Sequence, residues 1–93
     1  MRLEWSAGAL RDLDRFAEFL EERYPFLSSI VASAIIERAE VLSQYPELGR
    51  PIEGHEHYRQ VILEVLKGTY VFQYRWDGER LVMLRVFHGR EQR

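Results

Sequence analysis

Apolar residues change their spacing once along this chain, from steps of three and four residues to steps of two. The first half carries one stripe with helical spacing, which consists of Leu10, Leu13, Ala17, Leu20 and Tyr24. From Arg59 onward, apolar residues alternate with polar ones, as in strands that bury a single face. Helical and strand spacings cannot be satisfied by one kind of secondary structure. The pattern therefore predicts an α+β domain with two helices ahead of a sheet.

Two helices joined by a tight turn are predicted between residues 6 and 45. Ser6 can accept a hydrogen bond from the first helical turn, and Pro25 ends the first helix. A second helix is expected from Ser28 or Ser29 to about Gln44. Its apolar residues cover so much of the circumference that they must be buried on two sides, by the neighbouring helix and by a sheet or a partner protein. The two helices form an antiparallel hairpin.

The segment after the second helix is predicted to be a loop that runs to about His57. Pro46 cannot continue the helix, and Gly49 permits a left-handed turn. His55 and His57 resemble metal ligands, but a zinc site needs three or four convergent ligands, and only His88 and scattered carboxylates remain. We therefore expect neither a metal site nor a cofactor.

Strands are predicted on both sides of the helical hairpin. Residues 2–5 form a short N-terminal strand, and turns at Lys67–Gly68 and Asp77–Gly78 separate three later strands. The predicted fold is a single α+β domain over residues 1–93. It contains a short N-terminal strand, an α-helical hairpin and a three-stranded antiparallel meander, with the helices on one face of the sheet.

Composition fits one folded domain without export or a membrane span. Apolar residues make up 46% of the 93 residues, which is enough to bury one core. The chain has no cysteine, which excludes disulfides, thiolate zinc sites and a cysteine nucleophile. The longest nearly apolar stretch, residues 30–36, is far shorter than the roughly 20 residues of a membrane helix. The N-terminus has no signal-peptide pattern, so we expect a cytoplasmic protein.

Charge is divided unequally between the two halves. Residues 1–56 carry six arginines against eleven acids, a net charge of −5. Residues 57–93 carry six arginines and Lys67 against four acids, a net charge of +3. Arginine suits planar contacts to carboxylate or phosphate better than lysine does. The C-terminal half is therefore the part expected to meet acidic partners.

Basic and aromatic residues are concentrated in the predicted strands. The set consists of Arg59, Arg75, Arg85, His88, Arg90 and Arg93, with Tyr58, Tyr74 and Phe87. Alternation places Arg75 on the face away from the helices, and it groups Arg85 with Leu81, Met83 and Phe87. One interpretation is the polar side of a half-solvated sheet. The other is metal-free RNA cleavage, with His88 as acid or base. No serine-nucleophile elbow or glycine-rich phosphate loop is present.

Five segments occur in a characteristic order along the chain. They are Leu3–Ser6 before an amphipathic helix, Leu42 with Pro46–Arg50, Tyr58–Arg59, Tyr70–Tyr74 and Val86–Glu91. In this order and spacing they resemble the RelE/ParE superfamily of bacterial toxins. The resemblance covers essentially the whole chain. It implies the toxin half of a toxin-antitoxin pair, held inactive by a small antitoxin.

The superfamily contains two activities. RelE-like members are ribosome-dependent mRNA endonucleases, with basic residues along the central strands and often a tyrosine near the C-terminus. Arg59 and Arg90 match that pattern. Val61 and Val71 stand where basic residues are expected, and no tyrosine follows Arg90. ParE-like members resemble the chain more closely, in the Gly49–Arg50 turn and in the ending around Arg90. The resemblance therefore implies a ParE-like toxin that inhibits DNA gyrase by protein contact, without catalysis.

The same resemblance implies the partners and leaves two alternatives. The expected partners are a ParD-like antitoxin and DNA gyrase, with operator DNA contacted only through the antitoxin complex and no membrane involved. One alternative is a RelE-like, metal-independent endoribonuclease that acts on ribosome-bound mRNA. The other is a non-toxic partner in a toxin-antitoxin repressor complex.

Three sets of candidate site residues result. The target-binding set is Arg75, Arg85, His88 and Arg90. The antitoxin-binding set, which would receive an apolar helical segment against the hairpin and the sheet edge, is Phe16, Leu20, Tyr24 and Phe26. A catalytic set applies only to a ribonuclease and consists of His88, Arg90 and Arg59. His88 also has a simpler interpretation as a packing residue at a strand end.

Overall fold

A computed structural model describes residues 2–90 of the chain. The elements follow in the order β1 (Arg2–Trp5), α1 (Ala7–Arg23), α2 (Ser28–Gln44), a 3-10 turn (Pro46–Leu48), β2 (Arg50–Ile52), β3 (His55–Val65), β4 (Gly68–Trp76) and β5 (Arg80–His88). This order confirms the predicted α+β fold with a helical hairpin and an antiparallel meander. Within residues 2–90, no helix has the length and apolar character needed to cross a bilayer.

Five strands form one sheet in the order β1-β5-β4-β3-β2. Strands β2 to β5 pair antiparallel, whereas β1 lies parallel to β5, with Leu3 beside Leu81. The loop predicted from the end of α2 to about His57 is wrong for β2 and for the start of β3. Strand β2 forms by pairing with β3. It was not predicted because its three residues, which include Pro51, carry no alternating pattern of their own.

Both helices begin and end close to the predicted residues. The Ser6 hydroxyl accepts a hydrogen bond from the Ala9 amide at 3.1 Å and donates one to the Leu84 carbonyl at 3.0 Å. This residue therefore caps α1 and also ties it to β5. The second helix starts at Ser28 without a side-chain cap and ends at Gln44, two residues before Pro46.

The core lies between the helical hairpin and one face of the sheet. Its fully buried members include Ile35, Leu42, Phe72, Tyr74, Leu81, Met83 and Val86. Both α1 and the sheet pack against α2, as predicted, but the expected burial on two sides is incomplete. Ile30 and Ile36 remain 51% and 40% exposed, so no other described element covers them.

Strand β5 has one extra residue within the stretch that pairs with β4. Met83 pairs with Tyr74 and Arg85 with Gln73, so Leu84 has no partner on β4. This bulge reverses the alternation, because Val86 rather than Arg85 follows Met83 into the core. The expectation that Arg85 shares a face with Leu81 and Met83 is therefore wrong. Arg75, by contrast, alternates with buried Tyr74 and lies on the face away from the helices.

The buried hydroxyl of Tyr74 holds the 3-10 turn against the sheet. It donates a hydrogen bond to the Pro46 carbonyl at 2.6 Å and accepts one from the Gly49 amide at 2.9 Å. The left-handed turn expected at Gly49 is wrong, since its φ is −75°. Glycine is required there for space, because a Cβ atom would lie 2.6 Å from the Tyr74 oxygen. Burial raises the pKa of Tyr74, although the Gly49 hydrogen bond and the Arg59 charge act in the opposite direction.

Candidate functional site

A buried carboxylate joins α1 to β5 at the point where β1 ends. Asp12 is 1% exposed, and its Oδ2 accepts the Val86 amide and the Arg85 Nε, each at 2.8 Å. Its Oδ1 accepts Arg85 Nη2 at 3.0 Å and Arg15 Nη1 at 2.6 Å. Burial alone raises the pKa of Asp12, but these hydrogen bonds and the Arg85 charge outweigh it and lower the pKa below its usual value.

The ion pair fixes one of the four predicted target-binding residues. The Arg85 side chain is 46% exposed, binds Asp12 through two nitrogens, and has its guanidinium carbon 4.7 Å from the centre of the Phe87 ring. Sequence reasoning missed Asp12. The signal was present, because Asp12 lies three residues after buried Ala9 and four before Phe16, on the side of α1 that faces the core.

A groove runs between α1 and the end of β5. Its volume is about 500 Å³, and its lining consists of Arg15, Phe16, Phe19, Leu20, Tyr70, His88 and Arg90. We call it the α1–β5 groove. It brings together two predicted antitoxin-binding residues, Phe16 and Leu20, with two predicted target-binding residues, His88 and Arg90. Apolar side chains from the helix and cationic side chains at its rim make it suited to an amphipathic partner segment.

His88 is held at the groove by rings and by one hydrogen bond. Its ring meets Tyr70 edge to face at 5.1 Å, and Tyr70 meets Phe16 in the same manner at 5.4 Å. The His88 Nδ1 accepts the Arg90 amide at 3.1 Å, which places the hydrogen of the neutral ring on Nε2. His88 thus packs at a strand end, as one interpretation predicted, and still lines a cavity.

The other two predicted antitoxin-binding residues lie at the tip of the helical hairpin. Tyr24 is 57% exposed and Phe26 is 86% exposed. Phe19, which lines the groove, is covered in part by the Arg23 guanidinium at 4.3 Å. Exposed apolar residues therefore occur both in the groove, at Phe19, and at the tip of the hairpin.

The predicted catalytic residues are not brought together. Arg59 pairs with Tyr74, whereas His88 pairs with Tyr70, so they are separated by four residues of β4, about 13 Å. Arg59 Nη1 donates instead to the Gly49 carbonyl at 2.7 Å and the Glu47 carbonyl at 3.3 Å. Only His88 and Arg90 of this set are neighbours. Arg93, which the sequence analysis grouped with them, lies outside the described residues.

The target-binding residues also divide between two surfaces. Arg75 lies on the sheet face away from the helices, where its Nη1 contacts Asp77 at 3.2 Å. Hydrogen bonds from the Glu79 and Arg80 amides lower the pKa of Asp77, and the Arg75 charge adds to this effect. His88 and Arg90 line the α1–β5 groove instead.

A polar row crosses the sheet beside Arg75 and was not recognised in the sequence. Arg50, Gln60, Gln73 and Arg85 occupy matching register positions on β2 to β5. The Gln73 amide donates to Gln60 Oε1 at 2.8 Å. Amides alternating with apolar residues gave no distinctive pattern, so only the strand register reveals this row.

The five-stranded sheet with a helical hairpin on one face agrees with the fold implied by the RelE/ParE resemblance. A sequence model described as the ParE toxin of type II toxin-antitoxin systems matches residues 3–93. The chain therefore belongs to this family.

Two named relatives match nearly the whole chain. The chain is 31% identical over 91 residues to "Toxin RelE3" of Caulobacter vibrioides, covering 98% of the chain and 97% of the relative. It is 28% identical to "Putative toxin Y4kP" of Sinorhizobium fredii, covering 98% and 91%.

Two solved structures share the fold. The chromosomal ParDE system of P. aeruginosa superposes with a TM-score of 0.77 at 24% identity, covering 95% of both chains. The RelBE2 toxin-antitoxin complex of Mycobacterium tuberculosis gives 0.64 at 27% identity, covering 94% and 95%.

Proposed function

We propose that this chain is a ParE-like toxin that inhibits DNA gyrase by protein contact and acts in the cytoplasm. The separation of Arg59 from His88 along β4 carries the proposal, because a ribonuclease needs its acid, its base and its cations around one phosphate. An inhibitor that acts by contact needs no such convergence. The match to the ParE toxin family supports the same conclusion.

Gyrase contact is assigned to the arginines of the sheet and to the end of β5. Arg75 and Arg85 lie on strands, so their positions are fixed before binding, and Asp12 orients the Arg85 guanidinium. Guanidinium groups bind carboxylates and phosphates through paired hydrogen bonds. His88 and Arg90 extend the surface into the α1–β5 groove. Loss of one contact should therefore weaken inhibition in part rather than abolish it.

A ParD-like antitoxin is the proposed neutralising partner, and operator DNA is contacted only through that complex. Its apolar helical segment would bind along Phe16, Leu20, Tyr24 and Phe26, from the groove to the hairpin tip. Solved toxin-antitoxin structures of the same fold support an antitoxin partner. The net charge of +3 over residues 57–93 favours acidic antitoxin residues at the groove rim. Because His88 and Arg90 line that groove, the bound antitoxin would also cover part of the gyrase surface.

Purified toxin, gyrase and supercoiled plasmid provide the test. We expect the wild-type chain to increase linear DNA when gyrase is denatured after the reaction. Arg75→Ala should reduce the effect by about threefold to tenfold. Arg11→Ala is the matched control, since Arg11 is exposed on α1 outside the proposed surface and carries the same charge. Protein that binds antitoxin but yields no linear DNA would contradict gyrase as the target.

A RelE-like mRNA endonuclease is the second candidate function. The contact between the Arg90 amide and His88 Nδ1 favours it, as does the relative named RelE3. If the chain is a ribonuclease, His88→Ala, Arg90→Ala and the double variant should each abolish cleavage of ribosome-bound mRNA to a similar extent. Cleavage by wild type that His88→Ala removes would replace the gyrase proposal. Folded protein with neither activity would indicate the non-toxic partner of a repressor complex.

A further inference from the structure

A second cleft lies at the end of the sheet opposite to the α1–β5 groove. It is formed where the turn between β2 and β3 lies beside the turn between β4 and β5, and its volume is about 450 Å³. Its lining includes His55, His57, Tyr58, Arg59 and Trp76. It shares no lining residue with the groove, so the proposed antitoxin and gyrase contacts leave it unassigned.

The indole nitrogen of Trp76 has no hydrogen-bond partner in residues 2–90. The Nε1 atom is buried, and no acceptor lies within reach among the described residues. Buried indole N–H groups are nearly always paired, and an unpaired one requires a specific reason. Trp76 also lines the cleft, so its indole N–H is a group at the cleft that lacks an acceptor.

Rings and one fixed cation form the walls of the cleft. The His55 and Tyr58 rings lie 5.6 Å apart at an angle of 30°. The Arg59 guanidinium lies 5.4 Å from the Trp76 ring centre and is anchored by the Gly49 carbonyl. Such walls offer stacking surfaces and a positive charge together, which is the combination that recognises nucleotides.

The two carboxylates at the cleft do not cancel the Arg59 charge. Asp77 is occupied by Arg75 and by two backbone amides of its own turn. Glu56 has an 89% exposed side chain, so its charge is largely solvated. The cleft therefore keeps the positive charge of Arg59.

The backbone at the cleft is held in an unfavourable conformation. His57 has a φ of 70°, which places a residue with a Cβ atom in the left-handed region. Strained backbone of this kind is concentrated at ligand sites, where neighbouring structure maintains it. Here it marks the same cleft as the unpaired indole and the anchored guanidinium.

We propose that this cleft binds a nucleotide, with the base stacked on the His55–Tyr58 rings, a base carbonyl accepting from Trp76 and the phosphate near Arg59. Recognition is by side chains, which agrees with the absence of a glycine-rich phosphate loop from the sequence. A free mononucleotide and a nucleotide within a single strand present the same chemistry.

Isothermal titration calorimetry tests the proposal with thymidine monophosphate, a short oligothymidylate and inorganic phosphate. We expect saturable binding of thymidine monophosphate that is about tenfold weaker in Tyr58→Ala and also weaker in Trp76→Phe, which keeps a ring but loses the N–H. Tyr45→Ala and Trp5→Phe are the matched controls, since both residues lie outside the cleft. In the Trp5→Phe protein, the ligand should also shift the fluorescence of Trp76.

The two nucleotide sources are distinguished by affinity, and three results overturn the proposal. Equal affinity for thymidine monophosphate and oligothymidylate would identify the free nucleotide as the ligand. Tighter binding of oligothymidylate would identify a single strand as the ligand. Absence of saturable binding at millimolar nucleotide overturns the proposal. So does unchanged binding by both Tyr58→Ala and Trp76→Phe when circular dichroism shows them folded. Binding of inorganic phosphate as tight as that of the monophosphate would remove the role of the base.

Discussion

Replacing Tyr74 by phenylalanine removes one oxygen atom from the interior and leaves the ring in place. That oxygen donates to the Pro46 carbonyl at 2.6 Å and accepts from the Gly49 amide at 2.9 Å. All three residues are buried, so solvent does not readily replace the lost hydroxyl. The variant therefore leaves one main-chain acceptor and one main-chain donor unpaired in the core.

The cost follows from these two groups. Each buried polar group left without its partner destabilises a protein by about 1–3 kcal/mol. Partial relaxation of the 3-10 turn reduces the sum, so we expect Tyr74→Phe to lower the free energy of unfolding by about 3 kcal/mol. For a domain of this size, about 1 kcal/mol shifts Tm by roughly 4–8 °C, which predicts a fall of about 12–24 °C.

Urea unfolding followed by circular dichroism measures this loss. Tyr45→Phe is the matched control, because Tyr45 is 62% exposed and its hydroxyl bonds to no described residue. Its stability should change by less than about 0.5 kcal/mol. A loss below about 1 kcal/mol in Tyr74→Phe, or one equal to the control, would refute the claim that this hydroxyl holds the turn.

Four further predictions follow. Gly49→Ala should lower the free energy of unfolding by about 1–3 kcal/mol, because the added Cβ would overlap the Tyr74 side chain. An unchanged urea midpoint would contradict the close contact between Gly49 and Tyr74. Because burial raises the pKa of Tyr74, its hydroxyl loses its proton at lower pH in the unfolded chain than in the folded chain. The free energy of unfolding of wild type should therefore fall above about pH 10 more steeply than that of Tyr74→Phe. Because the pKa of Asp12 is lowered in the folded state, its carboxylate stabilises the fold above the unfolded pKa of 3.8, and this stabilisation is lost as pH falls through the folded pKa. Asp12→Asn should therefore be less stable than wild type at pH 7. Its urea midpoint should also lack the loss of stability that wild type shows in acid. Phe26→Ala should leave stability within about 0.5 kcal/mol but weaken antitoxin binding at least tenfold by calorimetry, and unchanged affinity would remove the hairpin tip from the interface.

Local signals predicted the helices and the meander. Ser6 and Pro25 mark the bounds of α1 through capping and through the missing proline donor, which depend on neighbouring residues only. The Asp77–Gly78 turn marks the boundary between β4 and β5 in the same way, with Gly78 at a φ of 97°. Features of this kind are visible in sequence because their physical cause lies within a few residues.

Long-range pairing determined what could not be predicted. Strand β2 exists because β3 pairs with it, and the bulge at Leu84 is visible only in the register between β4 and β5. The candidate site was predicted in part: Phe16, Leu20, His88 and Arg90 share one groove, whereas Arg75 and Arg59 lie elsewhere. Asp12, which connects elements 74 residues apart, was missed because its partners follow so far along the chain.

The contact of Asp12 with β5 has a consequence for synthesis. Hydrogen bonds that attach β1 and α1 to the sheet join residues separated by 73 to 78 positions, nearly the full length of the chain. During translation the first strand and helix emerge well before β5, which follows them by more than 70 residues. Closure across such a separation is entropically costly and slow. The sheet therefore cannot be completed until β5 has been synthesised, and the groove that β5 forms with α1 does not exist before then.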